Sequence, residues 1–191
     1  HLAVDGVSWR ILIEDLIALL SNSSDISTAV LPNKKTSYRQ WISKLKDYTT
    51  SPSILSEHAY WKKVVANYTS IPEDIPCIIE TTYGDTHTHV SILSSTKTES
   101  LVKDIHHAYG TEINDVVLSA LSVALKDWLP ASNVVIGLEG HGREELFEGI
   151  DVSRTIGWFT SLYPICLSIP SEGEVSFSEL ISSTKDMLRQ V

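Results

Sequence analysis

Hydrophobic residues recur at helical spacing close to the start of the chain. The apolar positions of this first stretch lie three or four residues apart or side by side: Trp9, Leu12, Ile13, Leu16, Ile17 and Leu20. The spacing predicts a helix over about residues 8–20, with Ser8 as its capping residue. Two more helices are predicted from TSYRQWISKLKDY and ILSEHAYWKKVVANY, which the turn-forming stretch TTSPS separates.

The pattern then changes to strand and back to helix. THTHVSIL alternates as a strand does, and the TKTE that follows predicts a capping box in which Thr96 caps the helix and Glu99 reaches back. We expect this helix to end at Gly110. Its expected buried stripe consists of Leu101, Val102, Ile105 and Tyr109.

The remaining elements complete a mixed α/β pattern. EINDVVLSALSVALKDWL predicts a helix that Pro130 ends. The apolar residues on one face of that helix are Ile113, Val117, Ala120, Leu121, Ala124 and Trp128. NVVIGLEG is typical of a strand covered on both faces, and GWFTSLYPICLSI is also strand-like. The capping box SFSE opens a helix that runs to the last residue without a terminator, so we expect a chain truncated at both ends.

Charge and composition narrow the possible partners. The chain has 15 Lys and Arg against 24 Asp and Glu, a formal net charge of -9, and its basic residues are scattered. Nucleic acid and anionic membranes are therefore not expected as partners. Cys77 and Cys166 lie far apart and are expected to be thiols in a reducing compartment. With no secretory signal or membrane span visible, we expect a cytoplasmic protein.

The opening HLAVDG is the first candidate for chemistry. Histidine titrates near neutral pH, so His1 is suited to act as an acid or a base. Asp5 either orients His1, forms an ion pair elsewhere, or begins a turn with Gly6. These three alternatives stay open at this point.

The second candidate is LEGHGRE, which follows the apolar strand. Its two glycines let the backbone bend, and Glu139, His141 and Arg143 project from the loop. Burial of Glu139 at the strand end would raise its pKa into the range of a useful base, whereas the alternative is a solvated turn with a surface ion pair. The other histidines lack a third ligand at a recognised spacing, so no metal site is expected.

Several of these segments together resemble one family. HLAVDGVSWRIL is similar to the HHxxxDGxSW motif of condensation and epimerization domains of nonribosomal peptide synthetases, beginning at the motif's second histidine. YRQW, EHAYW, TEINDVVLSAL, LEGHGREE and DVSRTIGWFTSLYP resemble successive segments of the epimerization branch, in the right order. The combination of EGHGRE and GWFTSLYP is very specific for the epimerization branch, and DGVSWR also favours an epimerization domain over an ordinary condensation domain.

The resemblance implies an α/β fold like that of chloramphenicol acetyltransferase, with two αβ lobes in a V and the active site in a tunnel between them. Residues 1–85 would form the second half of the N-terminal lobe, and residues 86–191 most of the C-terminal lobe. The chain would thus be a partial copy of one domain.

The resemblance also implies an isomerase. Its substrate would be an aminoacyl or peptidyl thioester on the phosphopantetheine arm of a peptidyl carrier domain, beside adenylation and condensation domains, in secondary metabolite or antibiotic biosynthesis. The domain itself would bind no cofactor. By resemblance, Glu139 is one proton-transfer group, His1 is the other or stabilises the enolate, and Arg143 and Asp5 support the site, with Asp5 more structural than chemical.

Two alternatives accompany this interpretation. In a condensation domain, His1 would assist amine attack and Glu139 would be dispensable. In a noncatalytic remnant, the fold would only dock carrier domains. Because the motif's first histidine and the family's C-terminal NGxGYG-like motif are absent from the sequence, we expect the 191-residue chain alone not to epimerize.

Overall fold

The computed structural model describes residues 3–21, 31–69, 71–72, 82–171, 173 and 176–190. Within these ranges the helices have the following bounds: α1 Gly6–Ser21, α2 Tyr38–Tyr48, α3 Pro52–Ala66, α4 Ser95–Glu99, α5 Ile105–Tyr109, α6 Ile113–Lys126 and α7 Phe177–Leu188. A π-helical segment, Ser100–Asp104, joins α4 to α5, and a 3₁₀ turn covers Tyr83–Asp85. Among the described residues, each helix lacks the length or the apolar character that a membrane span requires.

Two strands, β1 (Asn133–Gly140) and β2 (Ser161–Ser168), pair in one sheet. The Ile169 amide after β2 donates to the Ser132 carbonyl before β1 at 2.9 Å, so the strands run antiparallel. The mixture of helices and strands confirms the predicted α/β class. The helices predicted around α2, α3, α6 and α7 and both late strands are confirmed.

The chain divides into two compact units, each built from two separate stretches of sequence. The first comprises His1–Lys63 and Gly137–Pro164, and the second comprises Val64–Ile136 and Ile165–Val191. These units do not coincide with residues 1–85 and 86–191, so the assignment of those ranges to lobes of a complete domain stays a prediction. The stretch SIPEDIPCIIETTYGD, residues 70–85, holds two prolines and a mixed pattern that favour a crossing between lobes, but most of it lies outside the described residues.

The core of the first unit is an aromatic cluster. Trp41 of α2 is buried with Val152 and Phe159, and partly buried apolar residues surround them. The Trp41 ring lies 5.4 Å from the Phe147 ring and 6.0 Å from the Phe159 ring, measured between centroids. Because aromatic rings bury large apolar areas, this cluster fixes the loop between β1 and β2 against α2.

In the second unit, α6 packs against α7. The buried positions of α6 are Asp115, Leu118, Ser119 and Ser122, and those of α7 are Ile181 and Thr184. The Ser119 hydroxyl donates to the Asp115 carbonyl at 2.6 Å and accepts from the Thr184 hydroxyl at 3.0 Å, which satisfies polar groups at this buried contact.

Two of the predicted helix caps are wrong. The first helix begins at Gly6 rather than near Ser8, because the Asp5 carboxylate accepts the Ser8 amide at 2.7 Å and so caps it. The TKTE helix begins at Ser95, and the Ser94 hydroxyl, not Thr96, accepts an amide of the first turn. At α7 the predicted cap is confirmed, since the Ser176 hydroxyl accepts the Glu179 amide.

Two predictions about burial or pairing are also wrong. Residues 86–93, predicted as a strand, form no regular element and are exposed, because a strand needs a hydrogen-bonded neighbour. The expected buried stripe of Leu101, Val102, Ile105 and Tyr109 is partly or largely exposed. The apolar faces of α1 and α6, for which the sequence predicts a shared face but not burial, are also largely exposed. Periodicity shows which residues share a face but not what covers that face.

Candidate active site

Asp5 lies at the start of α1, where it is 1% exposed. Its Oδ1 accepts the Ser8 amide at 2.7 Å, and its Oδ2 accepts the Phe159 amide at 3.0 Å. The Asp5 amide donates to the Gly157 carbonyl at 3.1 Å. One side chain therefore caps the helix and also ties it to the segment that precedes β2.

Arg143 lies next to this carboxylate, and its side chain is 6% exposed. Its Nη2 is 3.2 and 3.3 Å from the two Asp5 carboxylate oxygens. Its Nη1 donates to the carbonyls of Val152 and Thr155 at 2.7 and 2.8 Å. The guanidinium also lies 4.0 Å from the centre of the Phe159 ring, a cation–π contact. Because both Nη atoms of Arg143 donate to groups within the protein, this side chain links Asp5 to the segment between β1 and β2.

The loop that follows Glu139 lies directly on the segment before β2. Gly142 has a φ of 65°, and a Cβ atom built there would lie 1.7 Å from the Phe159 carbonyl oxygen. A Cβ on Gly140 would lie 2.7 Å from the Ser161 hydroxyl. Gly142 is thus required by its positive φ and by the close approach of the Phe159 backbone, whereas a side chain at Gly140 would displace the Ser161 hydroxyl.

Of the predicted site residues, all but one lie within the described part of the chain. His1 lies outside the described residues. Glu139 lies one residue before the end of β1 and is exposed, so the burial suggested for it is not found. His141 is also exposed, and its Nδ1 accepts the Arg143 amide at 3.0 Å. Asp5 and Arg143 are brought together in a buried ion pair, whereas the exposed side chains of His141 and Glu144 lie 3.7 Å apart on the same loop.

Sequence reasoning missed three partners in this network: Ser8 as a buried hydroxyl, Gly157, and Phe159. An aspartate three residues before Ser8 is itself a signal for a cap at Asp5, which makes Ser8 the third helical residue. Gly157 and Phe159 lie in the motif GWFTSLYP, but that motif does not indicate their partners, which lie more than a hundred residues away in the chain.

Burial and hydrogen bonding act in opposite directions on Asp5. Burial favours the neutral acid and on its own would raise the pKa of Asp5. Hydrogen bonding from Ser8 and from the Phe159 amide, together with the charge of Arg143, outweighs burial and lowers that pKa below its ordinary value of 3.8. Asp5 is therefore an anion whenever the chain is folded near neutral pH.

This lowered pKa predicts acid sensitivity. Asp5 contributes stability above its unfolded pKa and loses it as the pH falls towards the lower folded value. We expect the free energy of unfolding to decrease as the pH is lowered from about 5 to about 3. Urea unfolding at several pH values measures this, and Asp5→Asn should be less stable at neutral pH and less sensitive to acid. If the free energy of unfolding depends on pH equally in wild type and in Asp5→Asn, the prediction is contradicted.

The other chemistry-bearing groups are less organised. Cys166 is a partly buried thiol whose pKa is raised by burial, and Cys77 lies outside the described residues. No cluster of three or more His, Cys, Asp or Glu side chains suited to a metal ion occurs among the residues that the structure describes.

A family model for the condensation domain matches residues 1–191, and the chain belongs to this family. It is 41% identical to tyrocidine synthase 2 of Brevibacillus parabrevis and 38% identical to gramicidin S synthase 1 of Brevibacillus brevis. Both matches cover the whole chain, which spans 5% and 17% of those synthetases, respectively.

Solved structures give the same family. The crystal structure of the epimerization domain from the third module of tyrocidine synthetase B matches all of this chain, at 41% identity and a TM-score of 0.90. The chain covers 42% of that structure's chain. A cyclization-docking bidomain from Sorangium cellulosum matches at 20% identity and a TM-score of 0.75. The predicted chloramphenicol acetyltransferase-like fold is thereby confirmed, and the chain belongs to a condensation-type, enzymatic family.

Proposed function

We propose that this chain is part of an epimerization domain within a cytoplasmic nonribosomal peptide synthetase. The domain would invert the α-carbon of an aminoacyl or peptidyl thioester held on the phosphopantetheine arm of a peptidyl carrier domain. Adenylation and condensation domains would adjoin it. The thioester arrives as substrate, so no cofactor of the domain's own is needed.

One observation carries the proposal. The chain is 41% identical to an epimerization domain over its full length, with a TM-score of 0.90. The first condensation domain of the calcium-dependent antibiotic synthetase, by contrast, is 16% identical, with a TM-score of 0.70. The sequence of the loop after β1, EGHGRE, and the segment GWFTSLYP support the same assignment, because both resemble the epimerization branch.

Inversion requires that the α-proton leave from one face and that a proton return to the other. Two proton-transfer groups on opposite sides of the planar enolate meet this need. Glu139 is suited to one role, since it is an exposed carboxylate at the end of β1 on a loop whose glycines are held close to residues 159–161. We propose His1 for the second role or for stabilising the enolate.

Arg143 and Asp5 are proposed as supporting residues. Both are buried, and their hydrogen bonds are made to each other, to Ser8 and to backbone groups. They would therefore hold the loop of Glu139 in place without contact with the thioester. A charge pair buried in this way resists displacement, because separating it leaves an ion without a partner.

The test supplies an L-aminoacyl thioester on a carrier domain to the synthetase module that contains this chain, in deuterated buffer. We expect the α-hydrogen to be replaced by deuterium and the D-isomer to accumulate, without an upstream acyl donor. Mass spectrometry follows the first change and chiral chromatography the second. Amide formation without exchange would instead favour a condensation domain. If neither exchange nor amide formation occurs, the result would favour a noncatalytic remnant that only docks carrier domains.

A further inference from the structure

Ser8 is fully buried in the first turn of α1, and its hydroxyl joins three distant parts of the first unit. Its Oγ accepts the Arg143 Nη2 at 2.9 Å and the Gly157 amide at 3.1 Å. It also donates to the Gly157 carbonyl at 2.9 Å. A serine hydroxyl has one donor and two acceptor sites, so all of its hydrogen-bonding capacity is used.

Ser8 and Asp5 both bind the Arg143 guanidinium, but the distances indicate that they contribute differently. Nη2 is closer to the Ser8 hydroxyl, at 2.9 Å, than to either Asp5 oxygen, at 3.2 and 3.3 Å. Asp5 supplies the opposite charge that the buried guanidinium needs. Ser8 provides the short, directional hydrogen bond that fixes where Nη2 points.

The same hydroxyl reaches the loop of Glu139 through the backbone. Ser8 binds both the amide and the carbonyl of Gly157, two residues before Phe159. The Phe159 carbonyl lies against Gly142, three residues after Glu139. Arg143, held by Ser8, follows Gly142 directly. Ser8 thus contacts both segments that hold this loop.

We infer that Ser8 is a positioning residue for the proposed inversion: it sets the Glu139 loop through Arg143 and Gly157. The inference rests on the proposed function. Ser8 is buried and touches no substrate, so its effect is on the placement of the carboxylate. A misplacement of about 1 Å is enough to slow a reaction about 100-fold.

The experiment compares Ser8→Ala with wild type in the synthetase module, with the carrier domain supplied separately so that saturation is measured. We expect the α-proton exchange rate at saturation to fall about 10- to 100-fold. The carrier concentration for half-maximal rate should stay within about twofold, because only loop placement changes. Rates are taken at a temperature where circular dichroism shows every variant folded.

Ser122→Ala is the matched control. Ser122 is also a fully buried helical serine, but its hydroxyl donates to the Ser119 carbonyl of its own helix, at 2.8 Å. We expect its exchange rate to stay within about twofold of wild type, since only a local hydrogen bond is lost.

Ser8→Cys keeps nearly the same side-chain volume but has a much weaker hydrogen-bonding group. Its exchange rate is measured instead if Ser8→Ala does not fold. A drop of at least about tenfold for the folded variant, with Ser122→Ala unchanged, supports the inference. Wild-type exchange rates in the folded Ser8 variant, or an equal drop in Ser122→Ala, overturn it. If wild type itself shows no exchange, the proposed function fails instead.

Discussion

Replacement of Glu139 by glutamine is expected to lower the α-proton exchange rate of the synthetase module about 10²- to 10⁴-fold. Glutamine has nearly the same shape as glutamate but cannot accept a proton at neutral pH. Glu139 is exposed at the end of β1, so the substitution leaves no buried group without a partner. Exchange of the α-hydrogen of a carrier-bound thioester in deuterated buffer measures the loss directly.

Glu145→Gln is the control for this experiment. Glu145 is an exposed glutamate in the loop that follows β1, six residues after Glu139, so the change in charge and chemistry is identical. We expect its exchange rate to stay within about threefold of wild type, as for a surface charge away from the reaction. Exchange in Glu139→Gln at the wild-type rate would exclude this carboxylate as a proton-transfer group.

Arg143→Met is expected to lower the free energy of unfolding by about 3–5 kcal/mol. Methionine fills much of the arginine volume but leaves the Asp5 carboxylate, which is 1% exposed, without its positive partner. The carbonyls of Val152 and Thr155 and the Ser8 hydroxyl also lose a donor. Arg143→Lys keeps the charge but not the fork of donors, so it should lie between wild type and Arg143→Met. Urea unfolding of the chain measures all three.

Arg154→Met tests whether burial of the ion pair causes the large loss of stability that is expected for Arg143→Met. Arg154 forms ion pairs with Glu14 and Asp15 of α1, but its side chain is 22% exposed and that of Glu14 is 56% exposed. Pairs that water reaches are worth about 1 kcal/mol or less. Equal losses for the two methionine variants would contradict the special role of the Asp5–Arg143 pair.

A double variant adds a second check. If Asp5 and Arg143 interact directly, Asp5→Asn combined with Arg143→Met should be less destabilised than the sum of the two single variants. When one member of the pair is already replaced, replacing the other removes a buried ion that had lost its partner, so the second substitution costs less. Strict additivity would show that the two side chains act independently.

The elements of this fold were predictable from short stretches of sequence, and the exceptions are informative. The helix cap at Ser176 and the left-handed residue at Gly110, with a φ of 57°, are confirmed. Residues 86–93 alternate like a strand but form none, because pairing depends on a neighbour that alternation does not provide. Local rules therefore predicted element types better than pairing or burial.

The candidate site was predictable only in part. The motif around Asp5 and the loop from Glu139 to Arg143 both stand out in the sequence. The buried contact between Asp5 and Arg143 does not stand out, because the sequence of that loop is equally consistent with a solvated turn and a surface ion pair. Ser8 was predicted as a helix cap, but its hydroxyl faces Arg143 and Gly157 instead.

By itself, the sequence determined where most helices and strands lie and which family the chain resembles, because helical period, capping residues and motif letters depend on neighbours a few positions away. Only the tertiary structure decided that Asp5 pairs with Arg143, 138 positions along the chain, and that Ser8 completes the network. Burial is the physical reason. Once packing removes water from a charge, only a partner from another segment can replace that water, and local sequence does not record which segment arrives.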